Sequence, residues 1–158
     1  MAVRTPWDPV TDDVATENLM DSLPRGWVGH AEVTAPQTIV NSATETDLTG
    51  LSLTVTLQAN RKYKLSAQGL LSRTVADGVT VGRFKEGSTE LNRWAQHSPS
   101  ALTEFDNASG IHVITNPSAG SHTYKLTLQR FSGTGNVTLN AAAGNPAEFL
   151  IEDIGPAS

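Results

Sequence analysis

The sequence predicts an all-β protein, an antiparallel sandwich or barrel, preceded by an arm with one short helix. Three observations carry that expectation. Apolar and polar residues alternate strictly in several runs, as a half-buried strand requires, because successive side chains point to opposite faces. Gly, Asn and Pro clusters separate the runs into roughly eight to ten short strands, a spacing typical of sandwiches and barrels. Residues 1–25 follow a different pattern from everything after them.

In those first 25 residues, Pro6, Pro9 and Pro24 punctuate the chain, and acids gather at Asp8, Asp12, Asp13, Glu17 and Asp21. Ala15, Leu19 and Leu23 recur every four residues with Met20 beside them, which supports one amphipathic helix capped by Asp12 or Asp13. Alone, so short a helix is unstable in water. It needs a surface to lie on: its own domain, a sister subunit or a larger assembly. Trp7, Leu19, Met20 and Leu23 are the candidate apolar anchors of this arm.

From Gly26 to the end, residues 26–158 read as one β domain. Trp27–Thr34 is a first strand, broken by Ala35-Pro36, and Thr38-Ile39-Val40 is a short second one. Leu51, Leu53, Val55 and Leu57 form the cleanest alternation, and Gln58-Ala59-Asn60 turns it toward Tyr63, Leu65, Ala67 and Gly69. Asp77-Gly78 predicts a tight type I′ hairpin leading to Val79–Lys85. Glu86-Gly87-Ser88 leads on to Glu90–Trp94, and Ala95–Asn107 reads as a long loop with a short strand. After Ile111–Thr115, the turn Asn116-Pro117-Ser118-Ala119-Gly120 introduces Tyr124, Leu126 and Leu128 on one parity. The break Ser132-Gly133-Thr134-Gly135 then predicts a hairpin back into Val137 and Leu139. Phe149-Leu150-Ile151 is apolar on both parities, which suits the middle of a sheet.

Composition removes several chemistries. The chain of 158 residues has 11 basic and 16 acidic residues, a net charge of −5, which disfavours a phosphate backbone as partner. The basic run Arg61-Lys62-Tyr63-Lys64 reads as a solvated strand edge. There is no cysteine, so disulfides, thiolate metal sites and cysteine nucleophiles are absent together. No apolar h-region opens the chain and no apolar run approaches the roughly 20 residues of a membrane span. The expectation is a soluble protein that contacts neither nucleic acid nor membrane.

Candidate catalytic and metal groups lack local signatures. His30, His97, His112 and His122 show none of the short spacings that mark zinc sites, so any metal site would have to be built across strands, and none is expected. There is no G-x-S-x-G elbow, and Gly133-Thr134-Gly135 lacks the third glycine and the helix of a dinucleotide fingerprint. Asp12-Asp13 and Glu152-Asp153 read as solvated charge. Asn107-Ala108-Ser109 and Asn136-Val137-Thr138 match the glycosylation sequon, without a signal peptide to make use of it. Trp94, Phe105 and Tyr63 could stack on sugars. For Trp94 a buried sandwich position is the stronger of the two readings. The expectation is a protein that is not an enzyme and carries no cofactor.

Two stretches resemble known families. Ala119-Gly120-Ser121-His122-Thr123-Tyr124-Lys125-Leu126 is similar to a strand of C1q/TNF-like jelly rolls and of phage fibre heads. Over nearly the whole chain, the arrangement resembles small virion proteins of actinobacteria-infecting tailed phages. The segments that carry this likeness are L-P-R-G-W-V-G-H-A-E-V-T-A (Leu23–Ala35), T-E-T-D-L-T-G-L-S-L-T-V-T (Thr44–Thr56) and F-L-I-E-D-I-G-P (Phe149–Pro156). The resemblance implies a jelly-roll-like sandwich that forms a homotrimer on the outer surface of a virion assembled in the host cytoplasm. Its implied role is capsid decoration, with the arm docked on the major capsid protein. The alternative is a minor tail or fibre protein that binds a host receptor or glycan through residues 86–110, with Trp94 and Phe105 as contacts. A third reading, a glycan hydrolase, would need paired carboxylates such as Glu90 and Glu104 in one groove.

Overall fold

The computed structural model describes residues 23–40, 43–101 and 104–157. Trp7, Leu19, Met20 and the stretch expected to form the arm's short helix lie outside the described residues, so only Leu23 of the arm anchors is placed. Every regular element among the described residues is a strand. In chain order these are β1 (Gly26–Val33), β2 (Gln37–Ile39), β3 (Thr46–Leu57), β4 (Arg61–Arg73) and β5 (Thr80–Glu86). They continue with β6 (Thr89–His97), β7 (Phe105–Thr115), β8 (Gly120–Arg130), β9 (Val137–Asn140) and β10 (Ala147–Pro156).

The strands form two antiparallel sheets. One has four strands in the order β3-β8-β5-β6. The other has six and is organised around β4, which pairs with β7 along one side. Along its other side β4 pairs first with β10 and then with β9, and these continue outward to β1 and β2. Setting aside the short β2 and β9, the remaining eight strands numbered in sequence run 1-8-3-6 in one sheet and 2-7-4-5 in the other. That order is the jelly roll, a sandwich in which the chain repeatedly passes from one sheet to the other.

The sheets close over a core that includes Leu51, Leu65, Leu71, Phe84, Tyr124, Leu126, Leu139, Phe149 and Ile151. Phe84 and Phe149 meet across the two sheets with ring centroids 6.0 Å apart. Trp94 lies in the same core at 2% exposure, its indole against Gly82 of the neighbouring strand, where a Cβ would sit 2.5 Å from Trp94 Cε2.

Two expected hairpins are corrected. β8 and β9 do not pair: β8 lies between β3 and β5, whereas β9 lies between β4 and β2 in the opposite sheet. Asp77-Gly78 also joins strands of different sheets, β4 and β5, rather than closing a type I′ hairpin. Alternation states only that one side of a strand is dry. That holds equally for neighbours in one sheet and for strands facing each other across a sandwich. The two crossing loops instead pack on one another. Phe131 N donates to Val79 O at 2.8 Å, and Asp77 accepts from Thr134 N at 3.1 Å. Arg73, buried at 3% exposure, donates to Thr134 O at 2.6 Å.

The 95–107 segment is also more regular than its sequence suggests. β6 runs on to His97 and β7 begins at Phe105, so strand occupies both ends of the segment.

Candidate functional site

Among the described residues, the outer face of the six-stranded sheet carries a group of exposed apolar side chains. Register places the side chains in rows across it. Ile111 of β7 lies opposite Ser66 of β4, which lies opposite Leu150 of β10, which lies opposite His30 of β1. The next row is Val113, Lys64, Glu152 and Trp27, and the row on the other side is Ser109, Gln68, Glu148 and Glu32. Ile111, Val113 and Phe105 on β7 are exposed at 59%, 44% and 57%, and Trp27 at 70%. The short side chains of Ser66 and Ser109 leave a trough between Ile111 and Leu150. It forms a groove of about 500 Å³ lined by Ser66, Gln68, Ser109, Ile111, Glu148 and Leu150. Lys64 and Glu152, 2.5 Å apart, form an ion pair beside it.

The residues singled out in the sequence are distributed differently. Phe105 stands exposed at the start of β7, level with Ser72 and well along the sheet from the groove. Trp94 is in the core and cannot stack on a ligand, which corrects its assignment as a loop contact. Leu23 is half-exposed at the root of the arm, and its carbonyl accepts from Arg61 Nη2 at 2.6 Å.

Arg61 is a second correction. The run Arg61–Lys64 belongs to the central strand β4, not to an edge, and Arg61 is buried with Asp153 in a two-pronged ion pair of 2.5 and 2.8 Å. The Glu152-Asp153 pair is therefore not simply solvated. Glu152 faces outward to Lys64, while Asp153 is buried and also accepts from Gly155 N at 3.0 Å.

Glu90 and Glu104 do not share a groove as acid and base would. Glu90 is held by Arg83 at 2.8 Å, and Glu104 accepts from Ser100 N at 2.5 Å and Ala101 N at 3.2 Å. Those two backbone amides, with the Ser100 hydroxyl, hold the Glu104 carboxyl below the usual range.

No protein-family model matches this chain, and no curated protein matches it. Solved structures are similar to it at the level of the fold. One is the Eiger TNF from S. frugiperda, at 11% identity and a TM-score of 0.47, covering 85% of this chain and 96% of that one. Another is infectious bursal disease virus, Gx strain, at 12% identity and a TM-score of 0.47, covering 86% of this chain and 41% of that one. A third is the C-terminal domain of EclA, a sugar-binding protein, at 15% identity and a TM-score of 0.39, covering 78% and 77%. At such identities and TM-scores none of them assigns a ligand or a partner to this chain.

The histidines have separate roles. His97 is buried with Nδ1 2.5 Å from Asp106, and His30 lies 3.7 Å from Glu148. His122 has Nδ1 2.5 Å from Glu86 and Nε2 2.9 Å from Ser118 O. The hydrogen bond to Glu86 holds the His122 imidazole above its ordinary value of 6.5, while burial lowers that of His112.

Sequence reasoning missed the face formed by Trp27, Ile111, Val113 and Leu150, although a signal for it was present. Phe149-Leu150-Ile151 is apolar on both parities, and so is the Ile111–Ile114 stretch. Such a strand is suited to burial on both faces. Among the described residues, only one face is covered.

Proposed function

We propose that this chain is a structural protein of a phage particle, a capsid decoration protein that forms homotrimers on the outside of the head. The observation that carries the reading is the uncovered outer face of the six-stranded sheet, with Ile111, Val113 and Trp27 exposed and Leu150 at its centre. A sister copy packed on this face supplies the second apolar layer that β7 and β10 are built for. A stable association of this kind buries roughly 1,000 Å² or more. Residues 1–25 then dock on the major capsid protein through Trp7, Leu19, Met20 and Leu23, and the added contact area stabilises the shell.

The resemblance to small virion proteins supports this reading. Two of its segments, Leu23–Ala35 and Phe149–Pro156, are neighbours through the β1–β10 pairing, at the root of the arm. A passive assembly role also fits the engagement of Glu90 and Glu104 in separate local contacts. In this reading the protein is made in the host cytoplasm, needs no cofactor and catalyses nothing.

The test is copy number per purified particle, by quantitative mass spectrometry against the major capsid protein. One trimer for each three-fold position of the shell is the expected result. Removal of residues 1–22 should abolish particle binding and leave a folded trimer. Full occupancy by the truncated protein would sink the arm's role.

The groove favours a second reading. Its volume of about 500 Å³ is in the range of small-molecule sites, roughly 300–1,000 Å³, and its lining mixes Ile111 and Leu150 with Ser66, Gln68 and Glu148. A minor tail or fibre protein could use it, with Phe105 elsewhere on the face, to hold a host glycan. A handful of copies per particle and binding of the isolated protein to host cells would favour that role over decoration.

A further inference from the structure

We propose that His30, Glu32 and Glu148 form a site for a divalent transition-metal ion at the β1 margin of the six-stranded sheet. Pairing of β1 with β10 sets Glu32 directly opposite Glu148, with His30 two residues before Glu32 and therefore on the same face. One ligand atom from each residue lies within 4.8 Å of the other two, and His30 Nε2 is 3.7 Å from Glu148 Oε1.

The geometry is close to that of a bound ion. A metal held at about 2.0–2.2 Å from nitrogen and oxygen ligands keeps those ligands roughly 3.0–3.5 Å apart. Closing the remaining gap takes about 1 Å of movement at the ends of side chains, and no movement of the paired backbone. Two carboxylates directly across an antiparallel pair repel one another, a cost that a cation between them removes. Gln68 of β4 donates to the other Glu148 oxygen, Oε2, leaving Oε1 turned toward His30. A second contact of this kind orients a ligand as the outer partners of metal sites do.

The donor set selects the ion. An imidazole with two carboxylates suits zinc and its first-row neighbours, whereas calcium requires six to eight oxygens. Three protein ligands leave at least one coordination position for solvent or a further donor. In sequence the site is only His30-Ala31-Glu32 plus a distant acid, which explains why no short zinc spacing marks it.

Trp27 provides a readout, since its ring centroid is 5.4 Å from that of His30. The test titrates chelator-treated full-length protein with Zn²⁺ by calorimetry and with Co²⁺ by tryptophan fluorescence. One ion should bind per chain, and Co²⁺ should quench a component of the emission that Trp27→Phe removes without loss of binding. His30→Ala and Glu148→Gln should weaken Zn²⁺ binding about 100-fold, and Gln68→Ala about tenfold, with the circular dichroism of the metal-free proteins unchanged. Absence of saturable Zn²⁺ binding would overturn the proposal. So would equal affinity in His30→Ala, or displacement of Zn²⁺ by equimolar Ca²⁺. None of these outcomes depends on the virion reading.

Discussion

Gly110 of β7 lies against the backbone of Trp94 in β6, at the margin where the edges of the two sheets meet. A Cβ there would stand 2.3 Å from Trp94 Cα, a backbone atom that cannot swing aside. Gly110→Ala should therefore lower stability by about 1–3 kcal/mol, the usual cost of overpacking. Gly144→Ala is the control, since nothing lies within 4 Å of its added Cβ and it should be neutral. Thermal or urea unfolding of the two variants makes the comparison. His122 offers a second residue-scale test. Its folded pKa is raised above 6.5, first by the hydrogen bond to Glu86. The pair thus stabilises the fold fully below the unfolded value, and its contribution is lost as pH rises through the folded one. Titration followed by NMR should find His122 above 6.5 in the native protein and lower in Glu86→Gln. An unmoved midpoint in the variant would show that Glu86 is not the cause.

Among the elements, β10 does most to hold the fold's two ends together. It pairs with β1 on one side and β4 on the other. Near its end the register shifts between Asp153 and Gly155, and this bulge goes with Asp153 turned inward against Arg61. Arg61 in turn holds the Leu23 carbonyl at 2.6 Å, so one buried guanidinium joins the last strand, the central strand and the root of the arm. Asp153→Ala leaves that charge buried without its carboxylate and should cost about 3–5 kcal/mol in urea unfolding. A loss under 1 kcal/mol would mean that water replaces the carboxylate readily. At the crossing loops Arg73 and Asp77 play a comparable part: the Thr134 amide is the main reason that the Asp77 carboxyl lies below its ordinary value.

For the whole molecule, the outer face of the six-stranded sheet is the feature to test first. Ile111→Asp combined with Val113→Asp puts two charges on side chains that are exposed in the monomer, so the fold should survive. If sister copies pack there, light scattering should show the trimer reduced to monomer. Phe131→Asp is the matched control, because Phe131 is also exposed, at 58%, but lies in the crossing loop after β8. A double variant that stays trimeric would move the interface elsewhere.

Strand positions were legible in the sequence because alternation is a local property. Each of β3, β4 and β8 carries its dry side in its own residues, and the turns at Asn60, Gly87 and Asn116 fall where positive φ is found. Pairing was not legible to the same degree. The same local pattern served for β8 and β9, which lie in opposite sheets, and for Asp77-Gly78, which crosses between sheets instead of folding back. Trp94 could be a ligand contact or a core residue until Gly82 and Gly110, distant in sequence, were brought beside it. Arg61 and Asp153 each read as surface charge until the β4–β10 pairing buried them together. By itself, the sequence determined where most strands run, the end of β6 and the start of β7 excepted, and which side of the alternating ones is dry, since a side chain's direction follows from its own backbone. Only the tertiary structure decided which strands pair, which charges are buried and which apolar face is left open, because those depend on side chains that meet across large separations along the chain.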